Sequence, residues 1–353
     1  MSNVSKNTAG IFIGRFQPLH NGHIEIINKM IQEVDHPVII VGSASGPRTP
    51  LNPFTFQERV KMLQDVFGKQ ITIYGADDYK YQDNDWLVRI NTIIDTVKRF
   101  HSVESEDVAI YGYRKDDSSQ YLGWFPAYKY KEVVGQSAQL NSTNIREMMF
   151  CPYFKPANIT IEEACRKAGV NEKTCVDICK YYNEDWYGQL RNEFEYIKAY
   201  KKQSQFVSLP FKPIFVAVDA LVVCGGNILL IRRGGRLGNN LIAIPGGFLN
   251  HDESIHTGLF RELKEETKID VPPAVLKNSL KHTEVFDDPR RSMRGRTITH
   301  CGLIVLQEKT LPKVKGSDDA KEAFWVPINQ LDSYKNMFFE DHYFIIKKML
   351  TKL

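Results

Sequence analysis

The sequence predicts two α/β domains in series: a doubly wound parallel sheet, then a mixed sheet with few helices. Three observations carry this. The 353 residues exceed what one ordinary domain uses, roughly 100–200. The first part alternates short apolar runs with helical patterns, which makes a parallel sheet covered on both faces. The last part is β-rich, with one strong helix interrupting it.

Taken in order, "IFI" (Ile11–Ile13), "PVIIVG" (Pro37–Gly42), "ITIYG" (Ile71–Gly75), "VAIYG" (Val108–Gly112) and "EVVG" (Glu132–Gly135) read as buried strands. Between them, Ile24, Ile27, Ile31 and Val34 recur at helical spacing and predict one buried face. Phe54–Phe67 and Trp86–Phe100 read as helices too. Residues 158–205 are mostly helical and polar, closing with a helix over Leu190–Gln205. "FVSLPFKP" (Phe206–Pro213) has two prolines and no period. It places the first domain at 1–205, a linker at 206–213 and the second domain at 214–353. Beyond it, Ile214–Cys224, Asn227–Arg233, Thr297–Leu306 and Ala323–Ile328 read as strands, and Ser254–Thr267 as the helix.

Apolar content of 42% lets each half bury a core. A net charge of +4 is too small to argue for a nucleic-acid partner. No apolar run approaches the roughly 18 residues of a membrane span. The start, "MSNVSKNTAG", lacks the apolar core of a secretory signal. A cytoplasmic protein without a membrane partner is expected; assembly into a homo-oligomer stays open. Cys151, Cys165, Cys175, Cys179, Cys224 and Cys301 are scattered, without paired C-x-x-C knuckles. Cys175 and Cys179 lie one helical turn apart with Cys165 nearby, where reduced thiols are expected rather than a metal cluster.

In such folds ligands bind outside the carboxyl ends of the strands. "GRFQPLHNGH" (Gly14–His23) is such an end. A strand stops at Gly14, Pro18 lies in the loop, and a helix starts near Gly22. The unbonded N–H groups of that helix favour an anion. His20 and His23, three apart, point the same way and can donate to phosphate oxygens. Neither GxGxxG nor GxxxxGK[ST] is present, which disfavours dinucleotide oxidoreductases and kinases. Two incidental surface histidines on an ordinary turn remain the alternative at this level.

The stretch resembles the G-x-F-x-P-x-H-x-G-H signature of the nucleotidyltransferase superfamily. "LNSTNIR" (Leu140–Arg146) resembles the second signature, [IL]-S-x-T-x-[IL]-R, with Asn141 where serine is frequent. Val41–Leu63 and "DNDWLVRI" (Asp83–Ile90) are similar to archaeal-type nicotinamide-nucleotide adenylyltransferases. The resemblance covers about residues 8–205 and implies a Rossmann-like domain joining nicotinamide mononucleotide (NMN) to ATP, giving NAD and pyrophosphate. It implies ATP contacts from Gly14, Arg15, Phe16, His20, Gly22, His23, Arg114, Ser142, Thr143 and Arg146, with His20, His23 and Arg146 carrying the catalysis. Lys115 is a weaker neighbour of Arg114. Mg²⁺ is expected to bridge ATP oxygens rather than to sit in a protein cage. Trp86 is the implied nicotinamide platform, against a core aromatic. Arg59 is the implied NMN-phosphate contact, against an exposed helix charge.

The second constellation is "GGFLNHDESIHTGLFRELKEETKI" (Gly246–Ile269). On a helical wheel starting at Ile255, the stripe of Ile255, Leu259 and Leu263 covers about 0–80°, while Glu262, Glu265 and Glu266 fall at about 340°, 280° and 20°. The carboxylates thus border the buried face, where they repel one another unless a cation sits among them. Mg²⁺ or Mn²⁺ suits such oxygen ligands. The alternative is a solvated acidic helix paired with Arg261 and Lys264.

The stretch resembles the Nudix box, G-x5-E-x7-R-E-U-x-E-E-x-G-U. Gly247, Glu253, Arg261, Glu262, Leu263, Glu265, Glu266 and Ile269 match it, and Lys268 replaces its last glycine. This resemblance covers about residues 210–350 and implies a mixed α/β Nudix fold that hydrolyses a nucleoside diphosphate derivative. Glu262 and Glu266 are then the principal metal ligands, Glu265 assists, and Arg261 and Glu253 brace the loop. "FDDPRRSMRGRTIT" (Phe286–Thr299) resembles ADP-ribose pyrophosphatases, which implies ADP-ribose as substrate. Arg294 and Arg296 either meet its phosphates or decorate a hairpin. The tandem order is similar to bifunctional NMN adenylyltransferase/Nudix proteins of bacteria. Rival readings are nicotinate mononucleotide or another acceptor, another Nudix substrate, or a ligand-sensing Nudix module. The sensing regulators carry a DNA-binding winged helix after the sensor, for which the chain, ending at Leu353, leaves no room.

Overall fold

The computed structural model describes residues 7–81, 83–113, 123–135, 137, 140–150, 161–202 and 211–353. Arg114, Lys115, Cys151 and residues 206–210 of the expected linker lie outside the described residues. The chain divides into two compact units, Met1–Arg191 and Asn192–Leu353.

In the first unit, β1 (Ala9–Gly14), β2 (His36–Val41), β3 (Thr72–Gly75), β4 (Val108–Gly112) and β5 (Lys129–Glu132) form one sheet. Its order is β3-β2-β1-β4-β5, and every pairing is parallel. The chain winds outward from β1 to β3, then crosses back to β4. The crevice at the ends of β1 and β4 is therefore the topological switch point. Helices α1 (Asn21–Glu33), α2 (Phe56–Phe67), α3 (Asp83–His101), α4 (Ser142–Phe150), α5 (Ile161–Lys167) and α6 (Glu172–Tyr181) accompany the sheet, and α7 (Asp185–Lys201) follows. Ile90, Ile94 and Val97 of α3 pack on Ile11, Val38, Ile40, Val108 and Ile110 of the strands. Thr55 and Glu58 close a capping box at the start of α2, a motif contributing about 1 kcal/mol.

Two expectations are corrected here. The last strand is Lys129–Glu132, not Glu132–Gly135. It is an edge strand whose side chains stay largely exposed, so no apolar run marks it. The buried face of α1 is Ile26, Ile27 and Met30, rotated from the expected Ile24, Ile27, Ile31 and Val34. Gly10 explains the rotation: a Cβ there would stand 2.5 Å from Met30 Cγ, so the bare backbone of β1 receives the Met30 side chain.

The second unit contains β6 (Phe215–Cys224), β7 (Asn227–Arg233), β8 (Ile242–Ala243), β9 (Gly246–Phe248), α8 (Ile255–Thr267), α9 (Pro273–Asn278), β10 (Leu280–Phe286), β11 (Thr297–Leu306), β12 (Ala320–Pro327) and α10 (His342–Leu350). The main order is β10-β11-β6-β7-β12, with β8 added to β7 and β9 to β6. The long β6–β11 pair is parallel and its neighbours antiparallel, so the sheet is mixed as expected. Leu259 and Leu263 of α8 pack on Val218, Val222 and Leu229. This unit also takes the end of α7: Ile197 is buried with Ile231, Leu237, Ala243 and Phe339. Its apolar side chains place the division ahead of the 206–213 segment. Among the described residues, no helix is long and apolar enough to cross a membrane. Among the described residues no disulfide joins two cysteines.

Candidate active sites

The first site is built on the end of β1. The Gly14 carbonyl accepts the Gly42 N–H (2.9 Å), tying the ends of β1 and β2 together. A Cβ on Gly14 would strike the Phe16 ring at 2.9 Å. Phe16 adopts a left-handed φ of 51° and is buried. Its ring stands edge-on to Phe12 and His23, with centroids at 5.5 and 4.9 Å. Phe16 thus supports the loop from beneath. His20 is the N-cap of α1, and its ring stacks on His23 at 3.7 Å with 26° between planes. A Cβ at Gly22 would meet the Ser137 carbonyl at 2.9 Å and the His20 ring at 3.2 Å. Gly22 lets the helix entrance close around the histidine pair.

The second signature docks onto the first. Arg146 is buried on α4 and donates from Nη1 to the Gln17 carbonyl (2.8 Å) and from Nη2 to Thr143 Oγ1 (3.2 Å). Ser142 Oγ donates to the Pro18 carbonyl (3.4 Å). Asn141, where serine is frequent, accepts the Asn144 N–H on Oδ1 (2.8 Å). It thereby serves the first turn of α4 as a cap. Gln17 is a structural centre that sequence reasoning missed. Its side chain donates to the Phe54 carbonyl (2.8 Å) and accepts the Phe54 N–H (2.9 Å).

Arg59 is only 1% exposed. Its guanidinium donates to the carbonyls of Arg15 (2.8 Å), Gly42 (2.7 Å), Ser43 (2.9 Å) and Thr55 (3.2 Å). Its burial overturns the exposed helix charge. It is a brace holding the loops after β1 and β2. Burial pulls the Arg59 guanidinium down to about 10, and the Arg15 charge adds to that fall. Arg146 is pulled to about 10 by the same two causes. An anion relieves such crowding of like charge.

Trp86 is half-buried on α3. It lies edge-on to Trp124 (5.9 Å, 83°) and tilted against Phe125 (5.9 Å). Trp124 is 52% exposed. The "GWF" of residues 123–125 is the signal that marked this second aromatic.

The second site is built on α8, capped by Ser254, which accepts the Thr257 N–H (3.2 Å). The wheel orders its carboxylates as the structure does. Glu266 is 3% exposed, the Glu262 side chain 13% and the Glu265 side chain 44%. β9 passes so close that a Cβ on Gly247 would stand 2.5 Å from Glu262 Oε1. The Gly246 N–H donates to Glu266 Oε2 (2.8 Å). Burial pushes the Glu266 carboxyl up to about 8, aided by the Glu262 and Asp219 charges and opposed by the Gly246 N–H and Arg233. Burial raises Glu262 as well.

Arg261 fills the bracing role. It donates to both oxygens of Glu253 (2.9 and 2.6 Å), to Glu262 Oε1 and Glu265 Oε2 (2.8 Å each) and to the Phe248 carbonyl (3.3 Å). The arginine holds the Glu253 carboxyl down at about 2. The three expected carboxylates thus resolve into an inner pair, Glu262 and Glu266, and an outer Glu265 turned to Arg261. Among the described residues, no three His, Cys, Asp or Glu side chains are gathered into a metal cage. The inner pair nonetheless fits a divalent cation: Glu266 is buried and Glu262 half-buried, and burial raises both carboxyls.

Lys268, standing for the last glycine of the box, takes the left-handed conformation itself (φ 45°, ψ 33°), and its N–H closes α8 on the Lys264 carbonyl. Arg294 lies 4.6 Å over the Phe248 ring. Arg296 bonds the Asp287 carbonyl at the surface. Sequence reasoning missed Asp219, a lone acid in the apolar run of β6, which was the signal. Asp219 Oδ2 accepts from Thr299 Oγ1 (2.6 Å), and burial raises its carboxyl to about 6. Beside it, Arg291 makes a bidentate pair with Asp341 (3.0 Å twice).

Residues 11–153 match the cytidylyltransferase-like family and residues 213–348 the NUDIX domain. A nicotinamide/nicotinic acid mononucleotide adenylyltransferase of Acinetobacter baylyi is 31% identical over 145 residues, covering 40% of this chain and 74% of that protein. A nicotinamide-nucleotide adenylyltransferase of Thermococcus onnurineus is 50% identical over 54 residues, 15% of this chain and 29% of that one. Among solved structures, the chain is similar to a bifunctional NMN adenylyltransferase/ADP ribose pyrophosphatase from Francisella tularensis, solved with AMP and a manganese ion. That match has a TM-score of 0.87 and 31% identity, and it covers 98% of this chain and 99% of that one. The chain belongs to this family, in which one polypeptide carries an NMN adenylyltransferase domain and a Nudix hydrolase domain.

Proposed function

We propose that the first unit transfers the adenylyl group of ATP to NMN, and that the second hydrolyses ADP-ribose to AMP and ribose 5-phosphate. The observation that carries the first half is the convergence of His20, His23, Arg15 and Arg146 on the end of β1 at the switch point. An NMN phosphate oxygen attacks the α-phosphorus of ATP, and the bond to the β-phosphate oxygen breaks, releasing pyrophosphate. The attacking oxygen is already ionised at neutral pH, so the work is positioning and neutralising charge. His20 and His23 donate to phosphate oxygens in this reading, with Ser142, Thr143 and Arg146 on the leaving pyrophosphate. Trp86 would stack the nicotinamide, and Mg²⁺ bound to the ATP phosphates would neutralise part of their charge.

In the second unit Glu262 and Glu266 would hold Mg²⁺ or Mn²⁺, which activates water and neutralises the diphosphate. Glu253 and Arg261 keep the β9–α8 loop in place. Arg294 lies over the Phe248 ring of β9, which makes it our choice of the two arginines for the diphosphate. The absence of a disulfide among the described cysteines accords with a cytoplasmic location.

A second acceptor has an observation of its own: the Acinetobacter relative is named for both nicotinamide and nicotinic acid mononucleotides. One preparation supplied with NMN plus ATP, with nicotinate mononucleotide plus ATP, and with ADP-ribose plus Mn²⁺ tests all of this. NAD with pyrophosphate, and AMP from ADP-ribose, are expected. Absence of either product pair overturns that half of the reading.

A further inference from the structure

The end of α7 belongs to the second unit, although the NUDIX match begins only at residue 213. The helix contributes more than apolar packing. Glu193 Oε1 accepts the N–H of Gly238, at 3.1 Å. Gly238 is itself constrained: its φ is +67°, and a Cβ there would strike the Phe339 ring at 2.3 Å. It sits midway along the loop from β7 to β8. The same loop is tied to Arg233, whose Nε donates to the Leu237 carbonyl (3.3 Å) and whose guanidinium lies 4.0 Å over Phe339. Asn240 N–H donates to the Arg233 carbonyl, and Arg233 N–H to the Leu241 carbonyl, 2.9 Å each.

From this loop the chain runs through β8 directly into β9. Ile242 accepts the Phe339 N–H (2.8 Å), the Ile244 N–H donates to His342 Nδ1 (3.3 Å), and the Pro245 carbonyl accepts from Ala220 (2.8 Å). The next residue is Gly246, whose N–H holds Glu266. Asn239 is exposed, but Gly238, Asn240, Ile242, Ile244 and Gly246 are held by hydrogen bonds, so a shift at Gly238 is carried along the chain toward Glu266.

We propose that Glu193, on a helix ahead of the Nudix fold, is a positioning residue of the hydrolase site. It fixes the β7–β8 loop through Gly238, and through β8 it fixes the Gly246 amide that sets Glu266. Glu193 touches no reacting group. Partial burial also pushes its carboxyl up to about 7, against the Gly238 N–H and Arg233, so it is a half-buried acceptor rather than a freely solvated charge. This inference rests on the hydrolase reading above.

The test uses the full-length chain with Glu193→Ala and Glu193→Gln, both activities assayed on one preparation, and amide hydrogen exchange followed across residues 234–246. Glu193→Ala should lower kcat for ADP-ribose about tenfold, the scale of losing a residue that orients a metal-holding group. KM and NAD synthesis should stay within about twofold of the parent. Exchange at Gly246 should speed up together with that at Gly238. Glu193→Gln should restore both, because its amide oxygen accepts the same N–H. If Glu193→Ala does not fold, Glu193→Asp, whose carboxylate is drawn back by one methylene, should show the same losses to a smaller degree. Unchanged hydrolysis with unchanged Gly246 exchange overturns the proposal, as does a loss that Glu193→Gln shares in full. If the parent does not hydrolyse ADP-ribose, the functional reading fails, and Gly246 exchange alone decides the positioning role.

Discussion

The two units bury opposite charges: Arg59 and Arg146 near the end of β1, and Glu266, with half-buried Glu262, beside β9. The arginines are held by carbonyl and hydroxyl oxygens, so their charge is kept while their hydrogen bonds are satisfied. The inner carboxylates have fewer donors. Glu266 has one backbone N–H, and its carboxyl rises to about 8. A guanidinium stays charged when buried, whereas a carboxylate yields by taking up a proton. The first unit thus keeps its buried charge satisfied by its own oxygens, whereas the second carries an acidic pair with few donors of its own.

Removing one inner carboxylate should break this contrast most visibly. Glu266→Gln is expected to lower ADP-ribose hydrolysis by about a hundredfold or more, the scale of losing one group that stabilises developing charge, with NAD synthesis unchanged. In chelator the same variant should melt higher than the parent at alkaline pH. The Glu266 carboxyl titrates near 8 when folded, above its ordinary 4.5. Its contribution is therefore full below about pH 4.5 and lost as pH rises through about 8. Glutamine does not titrate and can still accept the Gly246 N–H. A parent that melts independently of pH in chelator would refute the charge imbalance.

On the other side, His23→Ala should cut NAD synthesis about tenfold to a thousandfold while ADP-ribose hydrolysis persists. A folded variant that makes NAD at the parent rate would reduce the stacked histidines to packing. A finer probe is Trp86→Ala, which should raise KM for NMN about tenfold, the value of one ring stacked on an aromatic, and leave KM for ATP unchanged. Equal changes in both would make Trp86 a core residue. The smallest effect is expected at Lys268→Gly. Glycine adopts the left-handed C-terminal turn without a Cβ penalty, so a gain of up to about 1 kcal/mol is expected in a melting curve. A loss would show that the lysine side chain anchors the turn.

The strands buried on both faces were legible because each is a short apolar run ending near glycine, and β6, β7 and β11 follow the expected bounds closely. β8, β9 and β10 were not legible. The first two are too short for a period, and β10 is a half-exposed edge strand. At the sites, spacing conveyed which residues converge but not what each side chain bonds. Arg59 shows the difference: its place on α2 follows from periodicity, yet its partners are carbonyls contributed by three separate segments, which no local pattern encodes. The wheel ranked the burial of Glu262, Glu265 and Glu266 because a regular helix fixes relative angles. It gave no account of Gly246 and Gly247, whose closeness depends on where β9 lies.

Gln17 has a consequence for the thermodynamics of substrate capture. Its side chain satisfies both backbone groups of Phe54, and its own carbonyl is taken by Arg146. The loop between β1 and α1 is thereby held by two separate segments, the one around Phe54 and α4, before any nucleotide is present. The entropy of ordering it, on the order of 1–2 kcal/mol for each backbone residue, is lost when the chain folds rather than when ATP lands. Association should then be a near rigid-body event at this loop, and loosening Gln17 should slow capture of ATP without altering the chemical groups that meet it.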